Sequence, residues 1–431
     1  MRSSLFLALL APTALLLLIP FLERSRGTVS DISPAPTPSV LLRADEAQRI
    51  RETCRGDISL DPYRLDPHPV DQVGFQVSSA RETRFCHLGL GPGGALSELS
   101  CPIMLKDLQG MSLIGSSKGD AFWLAGLERV VRLDGTTLAT TALGRASVDR
   151  VFITATGAVV KLRDSLGGQL PGAVWSKGDL HFEVEAPPGA FLAAGHLLRE
   201  SDGILYARTL LEGAPGFGSE ISVGPGGGMA QGRMRACRHA RGWEVVLPEE
   251  QEGLAVIFRV YSVRSEGWSG PREARGEGVG GERWSLACSP GEARIAWAAS
   301  RVEAGEDVSE LRLLRCGAQG CQQQQATVRG LGLSRAGARV EAPWLLSIGE
   351  EMALLWSRGA STEARIAPLR ALAQASSQRL VAEAVDVAAS EAVVRQDAAL
   401  VLLRSQGQPS YVFPFRLGRD GAKALGCGPP D

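Results

Sequence analysis

Asparagine does not occur in this chain of 431 residues, and only five of its 46 basic residues are lysine: Lys106, Lys118, Lys161, Lys177 and Lys423. A skew that deep is compositional, so an arginine-rich stretch carries less information here than in a balanced sequence. Neither sign of charge is in excess, with 46 basic against 47 acidic side chains and a net charge of −1. A dedicated nucleic-acid binder needs a basic field to displace counterions from phosphate, and this balance argues against one. Aromatics make up only 6 % of the chain. Zinc sites need close sets of Cys and His, yet no C-x-x-C occurs, and Cys86-His87 and Cys237-Arg-His239 are the only close pairs. A metal site is therefore not expected. What the chain has in quantity is 51 glycines, 24 prolines and 44 % apolar residues. That supply of turns and core suits many short strands and excludes wholesale disorder.

Arg2 precedes an uncharged run from Leu5 to Leu22. Its length lies on the border between a signal-peptide core and a short membrane span. Residues 1–30 are read as a hydrophobic helix, either a signal anchor or a cleaved signal peptide with Thr28 and Ser30 as poor cleavage-site residues. The expected location follows: the periplasmic face of the inner membrane if anchored, secreted if cleaved. Residues 31–69 form a linker, first proline-rich (Ser33 to Ser39) and then acidic (Glu52, Asp57, Asp61, Asp66, with Asp71 just beyond it). Its carboxylates are too widely spaced for a calcium loop.

Eight cysteines in an exported chain read as a disulfide framework. Cys86 and Cys101 flank a glycine-rich turn, Gly91 to Gly94. Cys316 and Cys321 flank Gly317 to Gly320. Both pairs suit cross-strand bridges in hairpins. Cys237 and Cys288 lie one repeat apart, each after an alanine, and suit a bridge between neighbouring units. Cys54 and Cys427 are left to pair with each other.

From about residue 70 a loose strand signature recurs: two or three apolar residues, often an aromatic, then Arg, Ala or Ser. It begins at Phe75, Phe122, Val160, Leu205, Val256, Ile295, Leu354 and Val401. One unit shows the plan: strands Arg283–Cys288, Ala293–Ala299, Leu311–Cys316 and Gln323–Val328, with a polar loop from Arg301 to Ser309. The next runs Pro343–Ile348, Met352–Trp356, Ala364–Leu369 and Arg379–Ala382. The last has Glu391–Val394, Ala399–Leu403 and Ser410–Phe415. The alanine-rich stretch Leu369 to Val394 has helix propensity but is read as strand, turn, strand.

Four short strands per unit with turn chemistry between them are the plan of a propeller blade. Over roughly residues 70–427 the chain resembles exported bacterial β-propeller repeat proteins, in architecture rather than in motif. Asp boxes, WD dipeptides and phased kelch glycines are missing. The resemblance implies an all-β fold, a single β-propeller over 70–431 with about seven blades, eight or six being the alternatives.

Candidate chemistry is sparse. Two stretches spell G-x-G-x-x-G, Gly89 to Gly94 and Gly276 to Gly281, but no helix pattern follows either, so both read as turns and no cofactor is expected. Five histidines (His68, His87, His181, His196, His239) could act as bases, but no serine nucleophile elbow is expected to accompany them. The strongest binding candidate is Arg233, Arg235, Arg238, His239 and Arg241, four guanidinium groups and an imidazole beside the loop Gly224 to Gly228. Guanidinium forks suit carboxylate or phosphate. Alternation places Arg233 and Arg235 on one strand face. The functional expectation is an exported, membrane-anchored binding or assembly module, leaning away from enzyme activity, with a protein or glycan ligand at a propeller rim. The alternative is a glycan hydrolase or lyase with degenerate repeats.

Overall fold

The structure, a computed structural model, describes the backbone of strands between Asp57 and Glu185, and Pro187. From 190 to 423 side chains are described as well, apart from 212–215, 228–233, 240, 252–254, 279–283, 290, 334–340, 383, 387–389, 391, 393, 395–397 and 405–414. The Leu5–Leu22 run and most of the linker lie outside the described residues. Among the described residues, no helix is long and apolar enough to cross a membrane.

The fold is all-β. Successive strands pair antiparallel with their sequence neighbours, so each sheet is an up-and-down meander. The first comprises β1 (Asp57–Ser59), β2 (Gln72–Ser78) and β3 (Thr83–Gly89). The second comprises β4 (Ser112–Ser117), β5 (Ala121–Ala125), β6 (Arg129–Asp134) and β7 (Thr137–Ala142). The third comprises β8 (Ser147–Ile153), β9 (Ala158–Arg163), β10 (Gln169–Lys177) and β11 (Leu180–Glu185). The fourth holds β12 (Phe191–Ala193), β13 (His196–Ser201), β14 (Ile204–Leu210) and β15 (Phe217–Pro225). The fifth holds β16 (Arg235–His239), β17 (Gly242–Glu250), β18 (Val256–Arg264) and β19 (Gly267–Gly276). The sixth holds β20 (Trp284–Ser289), β21 (Glu292–Glu303), β22 (Glu306–Gly317) and β23 (Gly320–Arg329). A small hairpin follows, β24 (Arg335–Ala336) with β25 (Arg339–Val340). The seventh sheet is β26 (Trp344–Ile348), β27 (Glu351–Arg358), β28 (Ser361–Ala367) and β29 (Gln378–Val381). The eighth is β30 (Val385–Val394), β31 (Ala398–Ser405), β32 (Val412–Gly418) and β33 (Gly421–Ala424).

The eight strand signatures fall one to a sheet. They sit on the second strand of most sheets but slip to the third, β14 and β18, in the fourth and fifth. That slip, together with the hairpin β24–β25 inserted after the sixth sheet, accounts for their uneven spacing. The polar stretch Arg301 to Ser309 is not a loop. β21 and β22 continue through it and close on Ala304-Gly305, both at positive φ (51° and 86°), the geometry of a two-residue type I′ turn. Leu369 to Val394 forms no α-helix: a 3-10 turn, Leu369–Ala371, leads to β29 and then β30.

From the fourth sheet to the eighth, where side chains are described, the core is a series of slabs between neighbouring sheets. Alternation along a strand feeds two slabs at once. Val245 and Leu247 of β17 pack with Leu198 and Ala207 of the fourth sheet, whereas Val246 between them packs with Trp284 and Trp297 of the sixth. Leu355 of β27 packs with Val401 and Leu417, whereas Leu354 and Trp356 pack with Ala296 and Leu311. Two-sided burial explains unbroken apolar runs such as Ala399 to Leu403, every residue of which is buried. Near-neighbour contacts link β2 to β4, β4 to β8, β16 to β20, β20 to β26, and β26 to β30. β30 in turn lies against β2.

Candidate functional site

The arginine-rich segment lies mostly on β16, the first strand of the fifth sheet, in register with β17: Arg235 opposite Val246, Cys237 opposite Glu244, Arg238 opposite Trp243, and His239 opposite Gly242. Arg233 lies outside the described residues. The Arg235 guanidinium stacks 4.5 Å from the Trp284 ring and donates to the Trp284 carbonyl, so it reaches into the sixth sheet. Cys237 does the same covalently, bonded to Cys288 with Cα atoms 5.7 Å apart. Arg238, on the opposite face, lies 5.8 Å from the Trp243 ring. Arg241 sits in the β16–β17 turn, where its backbone N–H donates to His239 Nδ1 at 3.1 Å. These side chains therefore do not converge on one point. Arg235 and Cys237 fasten two sheets together, Arg238 covers an indole, and His239 points inward.

His239 leads to a group that sequence reasoning missed. Its Nε2 lies 3.2 Å from Glu244 Oε1. With Nδ1 accepting from Arg241, the proton sits on Nε2 and is donated to the carboxylate. Glu244 is fully buried. Arg264 donates to its Oε1, Arg272 Nη2 to Oε2 at 2.5 Å, and Ser262 Oγ to Oε2 at 2.7 Å. Burial works against the Glu244 charge, but the bonds from Arg264 and Ser262 and the charge of Arg272 outweigh it. The pKa is held below the ordinary 4.5. Burial also lowers the His239 pKa below 6.5, favouring the neutral ring that this geometry needs. A carboxylate with four donors, far from solvent, has no proton to give at neutral pH. The cluster is a clamp: Arg272 extends it by donating to the Cys316 carbonyl of the sixth sheet at 3.2 Å. One signal for it exists in the sequence, a lone acid in the otherwise apolar strand Trp243-Glu-Val-Val-Leu247.

Similar ties recur between the fourth and fifth, sixth and seventh, and seventh and eighth sheets. Tyr261 Oη donates to the Pro225 carbonyl at 2.5 Å, and burial pushes its pKa up to about 12. Ser285 Oγ donates to the Leu345 carbonyl at 2.6 Å. Arg294, itself buried, donates to the Gly349 carbonyl and to Glu350 Oε1 at 2.5 Å. Ser357 Oγ donates to the Val385 carbonyl at 3.1 Å, and the Gln378 amide makes two bonds to the Ala422 backbone.

The second disulfide, Cys316–Cys321, joins opposed residues at the turn between β22 and β23. Cys54, Cys101 and Cys427 lie outside the described residues, so the Cys86–Cys101 and Cys54–Cys427 pairings do too. Of the G-x-G-x-x-G stretches, Gly276 to Gly281 leaves β19 and the chain continues into β20, strand to strand. Gly89 ends β3 and the rest lies outside the described residues. The expectation of no nucleophile elbow needs correcting on spelling: Gly115-Ser-Ser117-Lys-Gly119 fits G-x-S-x-G. It runs from the end of β4 towards β5, whereas an elbow joins a strand to a helix. His196 Nδ1 lies 2.9 Å from the Ala194 carbonyl, across a turn. Among the described residues no group of His, Cys, Asp and Glu could hold a metal ion.

No family model and no curated protein matches the chain. Solved structures resemble it weakly. A prolyl endopeptidase has a TM-score of 0.32 at 12 % identity, covering 96 % of this chain and 55 % of its own. A puromycin-hydrolyzing peptidase of Mycobacterium tuberculosis has a TM-score of 0.41 at 12 % identity, covering 91 % and 56 %. The WD40 domain of SCAP from fission yeast has a TM-score of 0.35 at 10 % identity, covering 78 % and 95 %. The chain thus spans about half the length of the two peptidases. Likeness of this degree fixes neither an activity nor a partner.

Proposed function

We propose that the eight sheets are the blades of one closed β-propeller and that the protein is a non-catalytic binding or assembly module. Closure is supported by the contact between β30 and β2, the two ends of the series. The binding reading rests on where polar chemistry lies. Interior charges such as Glu244 and Arg294 are consumed in ties between sheets. Beyond Trp297, the last residue of β21 paired with β20, the β21–β22 hairpin projects past its own first strand. Residues 301–306 of that projection are exposed, and Val302, at 48 % exposure, is an apolar side chain among Arg301, Glu303 and Glu306. An apolar side chain on a projecting hairpin, rimmed by charge, has in miniature the apolar centre and polar rim of a protein contact. Export is part of this reading, supported by the Leu5–Leu22 run and by two disulfides, which persist in oxidising compartments.

The test is a photo-crosslinking amino acid placed at Val302 of the full chain in its native cell. A control probe goes at Ser265, in the β18–β19 turn. A discrete protein adduct at Val302 and none at Ser265 is expected. No adduct at Val302, or turnover of glycans by the purified chain, would overturn the reading.

A further inference from the structure

The outer strand of the sixth sheet differs from the outer strands of the fourth, fifth, seventh and eighth sheets in a way that has a binding consequence. A sheet edge offers unpaired N–H and C=O groups to any other strand, and proteins guard such edges with charges, proline, bulges or brevity. The strand β15 carries Glu220, two register shifts and a terminal Pro225. β19 carries Pro271, Arg272, Glu273, Arg275 and a register shift. β29 and β33 are four residues each and carry Arg379 and Lys423. The strand β23 is ten residues long, regular in register, free of proline, and uncharged until Arg329. Among the described residues it pairs on one side only, with β22. Gln322, Gln323, Gln324 and Gln325 are all exposed, so neither face is covered there. Its Val328 end, by contrast, packs against Leu369 and Leu372.

The pairing pattern shows which groups face outward. Cys316 and Cys321 have Cα atoms 4.0 Å apart. That is the short spacing of a non-hydrogen-bonded pair, in which N–H and C=O of each residue point away from the partner strand. Counting by twos, the outward residues of β23 are Cys321, Gln323, Gln325 and Thr327.

We propose that β23 is a dimerisation edge, occupied by the β23 strand of a second copy of this chain in antiparallel pairing. The glutamine run is self-complementary: each side-chain amide is both donor and acceptor. A twofold axis through Gln324 sets Gln323 opposite Gln325 of the second copy, and the reverse, so both outward backbone pairs close and glutamine faces glutamine. No like charges collide, because the nearest cations on β22 are already paired: Arg315 with Glu292 at 2.9 Å and Arg312 with Glu310 at 3.0 Å. The dimer does not depend on ring closure or on the Val302 contact.

The test is sedimentation equilibrium of the full chain in non-ionic detergent. The wild type should show a concentration-dependent monomer–dimer equilibrium. Gln323→Pro removes an outward donor without touching the β22 ladder. The double variant Gln323→Lys with Gln325→Lys sets lysine against lysine across the axis. Each should weaken the dimer at least about tenfold, with unchanged circular dichroism. If the proline variant does not fold, the lysine pair decides. A wild type that stays monomeric to about 100 µM, or a dimer weakened less than about tenfold in the folded variants, would overturn the proposal.

Discussion

Glu244 illustrates how a single buried charge is made compatible with an apolar interior. Its four donors come from three different strands: His239 at the end of β16, Ser262 and Arg264 in the last residues of β18 before its turn, and Arg272 of β19. Removing it leaves Arg264 and Arg272 facing each other without a counter-charge. Glu244→Ala should therefore destabilise the protein by about 3–5 kcal/mol, read as a lower urea midpoint at unchanged slope. The same cluster, together with His196 of the fourth sheet, sets a pH dependence. His239 and His196 have pKa values lowered by burial from 6.5, so the unfolded chain takes up protons first. Stability should fall as pH drops below about 6.5 towards the folded-state values, and His239→Gln should flatten part of that slope in thermal melts. Glu244 acts lower down. Its contribution is complete above 4.5 and is lost as pH falls through its depressed folded value. The missing asparagine also leaves a trace at this scale. Ala194-Gly195, Asp202-Gly203 and Ala304-Gly305 occupy turns with both residues at positive φ. Asparagine tolerates that conformation better than alanine. Ala304→Asn should raise stability by up to about 1 kcal/mol in the same denaturation assay.

The disulfides belong to the scale of the element, and they differ in reach. Cys237–Cys288 spans 51 residues and joins the fifth sheet to the sixth, whereas Cys316–Cys321 spans five and only staples a turn. By chain entropy their removal should cost about 4 and about 2 kcal/mol respectively, so paired Cys→Ala variants should rank in that order. Both were legible from spacing and phase. The strands were also legible where burial on both faces leaves an unbroken apolar run, as in Met352–Trp356 and Ala399–Leu403. Legibility failed at solvent-exposed strand. Arg301 to Ser309 reads as loop because its residues 301–306 are all exposed, with no buried face to impose alternation, and β33, four residues around Lys423, has almost no pattern at all. The clamp, beyond its lone acid Glu244, was illegible for a different reason. Glu244, Arg264 and Arg272 are close only because β17, β18 and β19 are in register, and register is set by pairing rather than by any local motif. The arginines flanking Cys237 drew attention by density. Two of them turn to indoles, a choice that depends on Trp284 and Trp243 arriving from other strands.

At the scale of the molecule, the decisive question is how a series of successive sheets ends. An open series would leave the outer faces of the first and eighth sheets bare. Stacked repeats need caps for that reason, and a ring avoids them. The approach of β30 to β2 favours the ring. Closure has a covalent corollary, because Cys54 precedes the first sheet and Cys427 follows the eighth. If the ring closes, these two are brought together although nearly the whole folded chain separates them. A bridge there would constrain the unfolded chain over a loop long enough to contribute about 6 kcal/mol by chain entropy, before any strain. Non-reducing peptide mapping of the full chain should then recover a Cys54–Cys427 peptide, alongside Cys237–Cys288 and Cys316–Cys321. Its reduction should lower the melting temperature more than reduction of the Cys316–Cys321 staple does. Recovery of Cys54 joined instead to Cys86 or Cys101 would show the leader fastened to its own sheet, and the ring would then rest on the contact between β2 and β30 alone.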